Sequence, residues 1–500
     1  MLGDQGATHM FKLHWLDLTL IGAYLALMVY MGKVLSTKIK SESDYYLAGK
    51  SLPWYIIGLS IIGTNIGSND YLGASGGAYR IGIAQANFEW IGAIPAMIIS
   101  AFIFIPFYWR AGVYSIPEYL GRRYNQPVRV ISATILSLFA ILIVGVYHWA
   151  SALMLETYMG WPMYVSIPIT AAVVGFYTIS GGLRADTFTD AIQVTLMFVS
   201  SLFLAYFGVQ KAGGPEAFLH TLSTKFPGHM HAFLPSDHPD FPWPGVILGL
   251  GFVLSPAYWC ANQAILLRTL GARSEWDGRA SMIFAALAKT FVPVLIILPG
   301  FVALALSTEK LAVSDSALPW VVKNVLPPGP SGLFFVAFIA ALQASVSSAL
   351  NSTAVMVTRD ILGVLRPKTR TDAQVVRLGR ICTFLVLALG VASAPLTAKF
   401  EGIYIFVQTA LSLFQGPMFA LIVVGILYKY ATPAAAVVSL VLGLLLAAIL
   451  QIASFNMLYI AFWTFVFSGF LLFVVSMFTA RKPDEELVNL CYTTTVKKYV

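Results

Sequence analysis

A polar helix face interrupts a strongly apolar part of the chain, and its side chains are of a kind that can bind a small cation. Residues 340–353 contain four serines. Ala341, Ser345, Ser348 and Ser352 recur at the i, i+4, i+7 and i+11 positions of one helix face. Such a row can consist of small residues for close helix packing. Alternatively, its hydroxyl oxygens can serve as neutral ligands for a hard cation such as sodium.

Four ionisable residues also fall inside apolar segments, namely Asp70, Glu89, Asp190 and Lys289. A charge in the hydrocarbon core costs about 2.5 to 3.5 kcal/mol on insertion scales, so such residues usually face a cavity and have a function. Glu89 and Lys289 could instead form a mutual ion pair. Asp190 could lie near the membrane interface, because Arg184 is only six residues away.

The elements that must position these residues are membrane-spanning helices. The 500 residues are 58% hydrophobic and only 11% charged, with a mean hydropathy of +0.78, which indicates an all-α integral membrane protein. Many apolar runs are long enough to cross a hydrocarbon core of about 30 Å. We expect about thirteen transmembrane helices, at residues 15–33, 53–78, 83–109, 128–156, 161–179, 187–210, 244–267, 281–307, 330–358, 379–396, 402–428, 432–452 and 456–480.

The net charge of +8 is best explained by topology. If the loop after the first span is cytoplasmic, most of the 31 lysines and arginines, including Arg123 and Arg268, fall in cytoplasmic loops, as the positive-inside rule requires. This predicts a multi-pass protein of a cell membrane (bacterial inner or plasma membrane) with its N-terminus outside and its C-terminus in the cytoplasm. The expected partners are the lipid bilayer and small solutes, without nucleic acid or an obligate protein partner.

Two spans contain signals for a broken helix. Residues 53–78 bring Gly63 and Gly67 together with polar side chains near the middle of the membrane, and residues 244–267 contain Gly249, Gly251 and Pro256. Ordinary glycine and proline kinks are the alternative. Because the two spans are five apart, they should enter the membrane in opposite directions. Such a pair predicts a five-plus-five inverted repeat with broken first and sixth core helices and a central transport site.

The chain divides accordingly into five parts. We expect an outside terminus with an extra span and a basic cytoplasmic linker, a first repeat, an extracellular loop, a second repeat, and two extra spans with a cytoplasmic tail, at residues 1–50, 51–211, 212–243, 244–428 and 429–500. The sequence contains no phosphate-binding loop, HExxH motif or nucleophile elbow. The protein is therefore not expected to be an enzyme or a nucleotide-driven pump, and an ion gradient must supply the free energy.

An ordered set of motifs resembles the sodium:solute symporter family, and within it the sodium/glucose cotransporters. The resemblance covers nearly the whole chain and implies the inverted-repeat leucine-transporter fold with sodium as the coupling ion. The motifs are TNIGSNDYLGASGGAY, NFEWIG, AGVYSIPEYLGRRYN, YTISGGL, TDAIQ, YWCANQAILLRTLGA, VSSALNSTAVMVTRDI and GPMFAL.

The resemblance implies two sodium sites. The first would use backbone oxygens of Gly63, Ile66 and Ala341 together with the hydroxyl of Ser345. Where the family usually has two adjacent hydroxyls, this chain has Ala344 before Ser345.

The second sodium site, found in some members of the family, would use Asp190, Ser347 and Ser348. Two sodium ions per solute would then be transported.

The resemblance also implies a solute site, in which Tyr258 stacks on a sugar ring and, held by Asn65, acts as the inner gate. Carboxylate, ammonium and amide groups beside an aromatic ring suit the hydroxyls and apolar faces of a hexose. Asp70 stands where sugar-transporting members have glutamine or histidine, and Ser255 stands where they have asparagine. The implied solute-binding residues are Asn65, Asp70, Glu89, Ser255, Tyr258, Trp259, Lys289 and Gln408.

We therefore expect a sodium-coupled symporter that imports a small polar solute, a hexose such as glucose or galactose, by alternating access. One alternative is the same mechanism with another solute, such as an inositol, sialic acid or another carboxylate, or an amino acid. A second alternative, from another class, is a sensor or channel for sodium or solute that concentrates nothing.

Overall fold

The computed structural model describes residues 14–36, 42–367, 371–399 and 402–494. The predicted outside and cytoplasmic ends of the chain, residues 1–13 and 495–500, lie outside these ranges. The main helices are α1 (Trp15–Ser36), α2 (Trp54–Asn65), α3 (Ser68–Ile81), α4 (Ile94–Ala111), α5 (Gln126–Met159), α6 (Met163–Lys211), α7 (Trp243–Ala261), α8 (Gln263–Leu270), α9 (Glu275–Lys289), α10 (Val292–Leu306), α11 (Pro330–Leu365), α12 (Asp372–Ser393), α13 (Ile403–Leu427), α14 (Pro433–Ile452) and α15 (Met457–Met477). Shorter helices occupy the connections at Glu42–Leu47, Ile116–Arg123, Pro215–Lys225 and Ala317–Val325.

The predicted all-helical architecture is confirmed, whereas the number of thirteen spans is not. Among the described residues, nine helical segments are long and apolar enough to cross a membrane. The pair α9 and α10, bent by 51°, makes a tenth if it is counted as one span. Two further predicted spans correspond to the shorter apolar helices Trp15–Met28 and Met163–Gly175. The predicted span at 53–78 is divided between α2 and α3.

The first predicted break is present between α2 and α3. Ile66 and Gly67 have extended backbone angles (φ −91°, ψ 90° and φ −91°, ψ 178°). Glycine is needed here because of close approach: a Cβ atom on Gly67 would lie 2.7 Å from the Tyr147 ring and 2.9 Å from Ser345 Oγ. The break therefore sits directly against α5 and α11.

The second break lies further along the chain than the sequence predicts. Gly249 and Gly251 are absorbed in a π-helical stretch of α7, Val246–Leu254, and Pro256 continues as helix. The interruption is at Asn262, which has φ −76° and ψ 125° and separates α7 from α8. Its Oδ1 accepts hydrogen bonds from the amides at the start of α8, so an asparagine cap defines the break.

The two broken spans run in opposite directions, as predicted. The start of α2 lies beside the end of α8, because the Leu52 amide donates to Gly271 O at 3.1 Å and the Arg273 amide donates to Leu52 O at 3.1 Å. The Trp54 amide also bonds Asp277 Oδ1 at 3.1 Å. One broken span therefore begins where the other ends.

Helix α6 contains two predicted spans, at 161–179 and 187–210. As one straight helix, its 49 residues would extend about 74 Å. However, Lys323 Nζ bonds Thr157 O, six residues before α6 begins, and Lys211 Nζ at its other end bonds the carbonyl of the neighbouring Asn324. Because both ends meet the same turn, α6 folds back and crosses the bundle twice.

Candidate functional site

A cavity of about 170 Å³ lies between the two helix breaks. All eight residues that the resemblance assigns to solute binding line this cavity: Asn65, Asp70, Glu89, Ser255, Tyr258, Trp259, Lys289 and Gln408. They come from α2, α3, α7, α9, α13 and the segment after α3, so only the folded bundle brings them together. Trp90, next to Glu89, is 37% exposed and does not line the cavity.

A continuous hydrogen-bonded chain crosses the cavity wall. Lys289 Nζ donates to both Glu89 Oε2 and Asn65 Oδ1, and Asn65 Nδ2 donates to the Tyr258 hydroxyl at 3.3 Å. The Lys289 side chain is 1% exposed and the Glu89 side chain 9%. The mutual ion pair considered from sequence therefore exists, and it is shared with the amide that holds Tyr258.

Two other residues that are predicted to bind the solute form hydrogen bonds to a backbone carbonyl. Ser255 Oγ and Trp259 Nε1 both donate to Gly92 O, the latter at 3.1 Å. They fix the turn that follows Glu89. The Trp259 ring also faces the cation of Lys289, whose Nζ is 5.4 Å from the ring centroid. These contacts orient the buried ion pair.

Asp70 lies at the start of α3 and contributes a second carboxylate to the cavity. Its Oδ2 accepts a hydrogen bond from the Gly67 amide at 2.8 Å. A carboxylate in the first turn of a helix is stabilised by the helix dipole. In their charged forms, Asp70, Glu89 and Lys289 would together give the cavity two negative charges and one positive charge.

The cavity is closed on the side that the sequence predicts to be extracellular. Phe88 contacts both Tyr404 and Phe241, with ring centroids 4.7 and 4.9 Å apart, and Arg80 pairs with Asp240 at 2.6 Å. Phe241 and Asp240 belong to the loop between α6 and α7, which therefore covers this side of the cavity.

Towards the opposite side, the cavity lining continues to Gln263 at the start of α8, and to Met356 and Ile422 near the predicted cytoplasmic ends of α11 and α13. With the orientation predicted from the positive-inside rule, this part of the cavity would face the cytoplasm.

Tyr258→Phe tests the gate. The ring is retained, but the hydroxyl that accepts from Asn65 is lost. Because one hydrogen bond contributes about 1 kcal/mol, we expect the KM for solute to rise about fivefold with little change in expression. Tyr164→Phe is the matched control, because Tyr164 is 79% exposed. An unchanged KM in Tyr258→Phe would contradict the role of the hydroxyl.

The first predicted sodium site coincides with carbonyls that the α2–α3 break releases. The Gly67 amide bonds Asp70 Oδ2, so the Gly63 carbonyl lacks its usual i+4 helical donor. The Asp70 amide bonds Gly67 O, so the Ile66 carbonyl also lacks that donor. Freed carbonyls at the end of a half-helix are suitable ligands for sodium.

Helix α11 adds oxygens to the same place. Ser345 Oγ donates to Thr64 O at 3.3 Å, at the end of α2. Ala341 is fully buried one turn earlier on α11. The set of neutral oxygens fits a monovalent hard cation, since no buried charge needs to be compensated when the ion leaves.

Ala344→Ser should strengthen this site. Ala344 is fully buried beside Ser345, and a serine there restores the second hydroxyl that the family usually has. We expect the half-saturating sodium concentration for uptake to fall about threefold to tenfold, as expected for one added polar contact. Ala354→Ser, on the same helix and equally buried, should leave it unchanged. If both variants behave like the parent, the missing hydroxyl does not affect sodium binding.

The second predicted sodium site has additional charged members. Asp190 is fully buried, and its Oδ2 accepts from Arg268 Nη2 at 3.0 Å and from Ser60 Oγ at 2.5 Å. Ser347 donates to Asp186 rather than to Asp190, and the same Arg268 Nη2 bonds Ser348 Oγ. Asp190 is therefore held by buried groups inside the bundle and is not exposed to solvent.

Arg268 and Arg123, which the sequence analysis places in cytoplasmic loops, lie in helices instead. Both side chains are fully buried. Arg123 bonds the carbonyls of Gly425, Tyr428 and Ala431, and Arg268 bonds two aspartates. The bias in the remaining loops does not depend on these two residues.

Sequence reasoning missed Asp186, Arg268 and Ser60. The available signal was spacing, because Asp186 and Asp190 are four residues apart and share one helix face.

Comparisons with known proteins identify the family of this chain. A family model described as the sodium:solute symporter family matches residues 45–443. The sodium/glucose cotransporter of Vibrio parahaemolyticus is 30% identical over 502 residues, which cover 95% of this chain and 92% of the relative. Sodium/glucose cotransporter 1 of Oryctolagus cuniculus is 28% identical (95% and 81% covered), and sodium/myo-inositol cotransporter 2 of the same species is 28% identical (88% and 70% covered).

Solved structures confirm the fold. A substrate-bound, outward-open sodium-coupled sialic acid symporter aligns with a TM-score of 0.84 at 20% identity, over 94% of this chain and 98% of that chain. Mhp1, a nucleobase-cation-symport-1 family transporter, aligns with a TM-score of 0.59 at 15% identity, over 91% and 100% of the chains. At these identities the likeness establishes architecture alone.

The family model confirms the resemblance inferred from the sequence motifs. Its match covers more than half of the chain and includes both helix breaks. The protein belongs to the sodium:solute symporter family.

Proposed function

We propose that the protein imports a hexose together with sodium by alternating access. The observation that carries the proposal is the hydrogen-bond network that runs from Glu89 through Lys289 and Asn65 to Tyr258 between the two helix breaks. Its groups include donors and acceptors that match sugar hydroxyls, and Tyr258 and Trp259 offer aromatic surface. The names of the sodium/glucose relatives support the same solute class.

Sodium supplies the free energy in this proposal. Each positive charge that enters gains about 2.3 kcal/mol per 100 mV of membrane potential. Sodium at the released carbonyls of Gly63 and Ile66 would connect α2 to α11, and its departure would free the two helices to separate. With a second ion at Asp190, two sodium ions would accompany each solute.

We propose the orientation given by the positive-inside rule, with the N-terminus outside and the closed side of the cavity facing the exterior. The Phe88, Tyr404 and Phe241 contact would then be the outer gate, and Tyr258 the inner gate. Cysteine labelling from outside tests this: position 216, predicted outside, should react with a membrane-impermeant thiol reagent, and position 275 should not. The reverse pattern would overturn the orientation.

The alternative solutes remain distinguishable. Asp70 adds negative charge to the cavity, which disfavours carboxylates such as sialic acid, whereas an inositol presents hydroxyls like those of a hexose. A sensor or channel would use the same ligands without accumulation.

Uptake into proteoliposomes is the decisive experiment. Labelled galactose and glucose are offered with an inward sodium gradient or a matched potassium gradient, and inositols, sialic acid and proline are the competitors. Sodium-dependent accumulation above equilibrium is expected. Equilibration alone would indicate a channel, and competition only by another solute would replace the hexose.

A further inference from the structure

We infer that the Arg268 guanidinium occupies the second sodium site when sodium is absent. When sodium binds, Arg268 moves away from Asp190 and keeps its ion pair with Asp186. This inference rests on the proposed sodium site at Asp190. Neither Arg268 nor Asp186 belongs to the ligand set assigned from the sequence.

The first observation is position. Arg268 Nη2 bonds both Asp190 Oδ2, at 3.0 Å, and Ser348 Oγ. These are two of the three side chains that would bind sodium. A guanidinium nitrogen therefore occupies the space between the oxygens that the ion would need, and the two cations exclude one another.

The second observation is charge. Asp186, Asp190 and Arg268 are each at most 2% exposed. Two carboxylates against one guanidinium leave a net charge of −1 in a buried cluster, and such a charge is costly unless it is compensated. Asp190 Oδ1 is buried and has no hydrogen-bond partner among the described residues. One monovalent cation at Asp190 would neutralise the cluster and satisfy this oxygen.

The third observation is that Arg268 has a second partner ready. It bonds Asp186 Oδ2 at 2.7 Å, which is shorter than its contact with Asp190. Asp186 Oδ1 accepts a hydrogen bond from the Ser347 hydroxyl. The Ser348 hydroxyl donates a hydrogen bond to Ala344 O at 2.5 Å. Both serine oxygens can therefore keep these donor bonds and still offer lone pairs to sodium.

The arrangement connects ion release to the inner gate. Arg268 lies on α8, the half-helix that begins at the Asn262 break, while Asp186 and Asp190 lie on α6 and Ser348 on α11. When sodium leaves, Arg268 draws α8 towards α6 and α11. Arg268 is thus a positioning residue that contacts the ion ligands rather than the solute.

Sodium binding to the purified full-length protein, measured with labelled sodium ions against choline, tests the inference. In Arg268→Gln the competitor is absent, so we expect the second sodium to bind about tenfold more tightly. In Asp186→Asn the arginine has only Asp190 left, so we expect the second sodium to bind about tenfold more weakly.

The double variant Arg268→Gln/Asp186→Asn separates competition from simple structural support. It retains the native net charge of the cluster, which protects folding, and it removes the competitor. We expect its second sodium to bind more tightly than in the parent, reversing the Asp186→Asn defect. A double variant as weak as Asp186→Asn would overturn the inference, even if Arg268→Gln alone fails to fold.

The variant Asp190→Asn distinguishes rejection of the proposed role of Arg268 from rejection of the second sodium site. If Asp190→Asn loses the second sodium while the double variant stays weak, the sodium site stands and the role of Arg268 is rejected. If Asp190→Asn binds sodium as the parent does, the second site and the inference are both rejected.

Discussion

Replacing Lys289 with methionine is expected to lower kcat/KM for solute by at least about 100-fold. The substitution removes the ammonium that bonds both Glu89 and Asn65 and leaves the Glu89 carboxylate buried without its partner. Breaking one half of a buried ion pair costs about 3 to 5 kcal/mol, which corresponds to roughly 100-fold or more at 1.4 kcal/mol per factor of ten. Uptake into proteoliposomes at saturating sodium measures the effect.

The charge-matched double variant Glu89→Gln/Lys289→Met is the control for folding. It should regain thermal stability, because no buried charge is left uncompensated, but it should not regain uptake if the pair contacts the solute. Sodium binding without solute should be near normal in both variants. Restored uptake in the double variant would show that the pair is only structural.

The residues that line the central cavity could be predicted from sequence because buried charges are energetically costly and each one is visible locally. Glu89 and Lys289 are charged residues deep in apolar runs, so each indicates a buried polar environment on its own. Their mutual contact spans 200 residues of chain, and only the ordered family motifs connected them beforehand. The break at Gly67 was also visible, because glycine and asparagine cluster there without a competing helical pattern.

The second break could not be located from glycine and proline alone. Glycines at 249 and 251 leave the backbone free to widen into π-helical turns, and Pro256 is accommodated where α7 tightens again to α-helix after Leu254. The actual break is made by one capping asparagine, whose signal is short and common in loops. Tertiary packing of α8 against α2 and α9 then decides where the helix restarts.

Two charged residues beside the proposed second sodium site were missed because the sequence was interpreted as membrane spans joined by charged loops. Arg268 follows an apolar run, so it resembles a residue that marks the cytoplasmic interface. Asp186 is two residues from Arg184 and resembles an interfacial carboxylate in the same way. Folding buries both because α8 is short and continues the broken span into the bundle instead of leaving it.

Replacing Asp190 with asparagine is expected to remove one sodium ion from the transport cycle. The variant should fold, because Asp186 and Arg268 remain as a neutral pair. The Hill coefficient for sodium should fall from near two to about one, the limit set by the number of sites. At 100 mV, losing one charge removes about 2.3 kcal/mol of driving force, so maximal accumulation should drop roughly 50-fold at 1.4 kcal/mol per factor of ten. Charge moved per solute, recorded together with labelled solute flux, provides the direct measurement. Ser137→Ala, at a buried serine on α5 that belongs to neither predicted sodium site, is the control and should retain both values. Unchanged charge per solute in Asp190→Asn would show that a single sodium ion, bound at the carbonyls of the first break, drives transport.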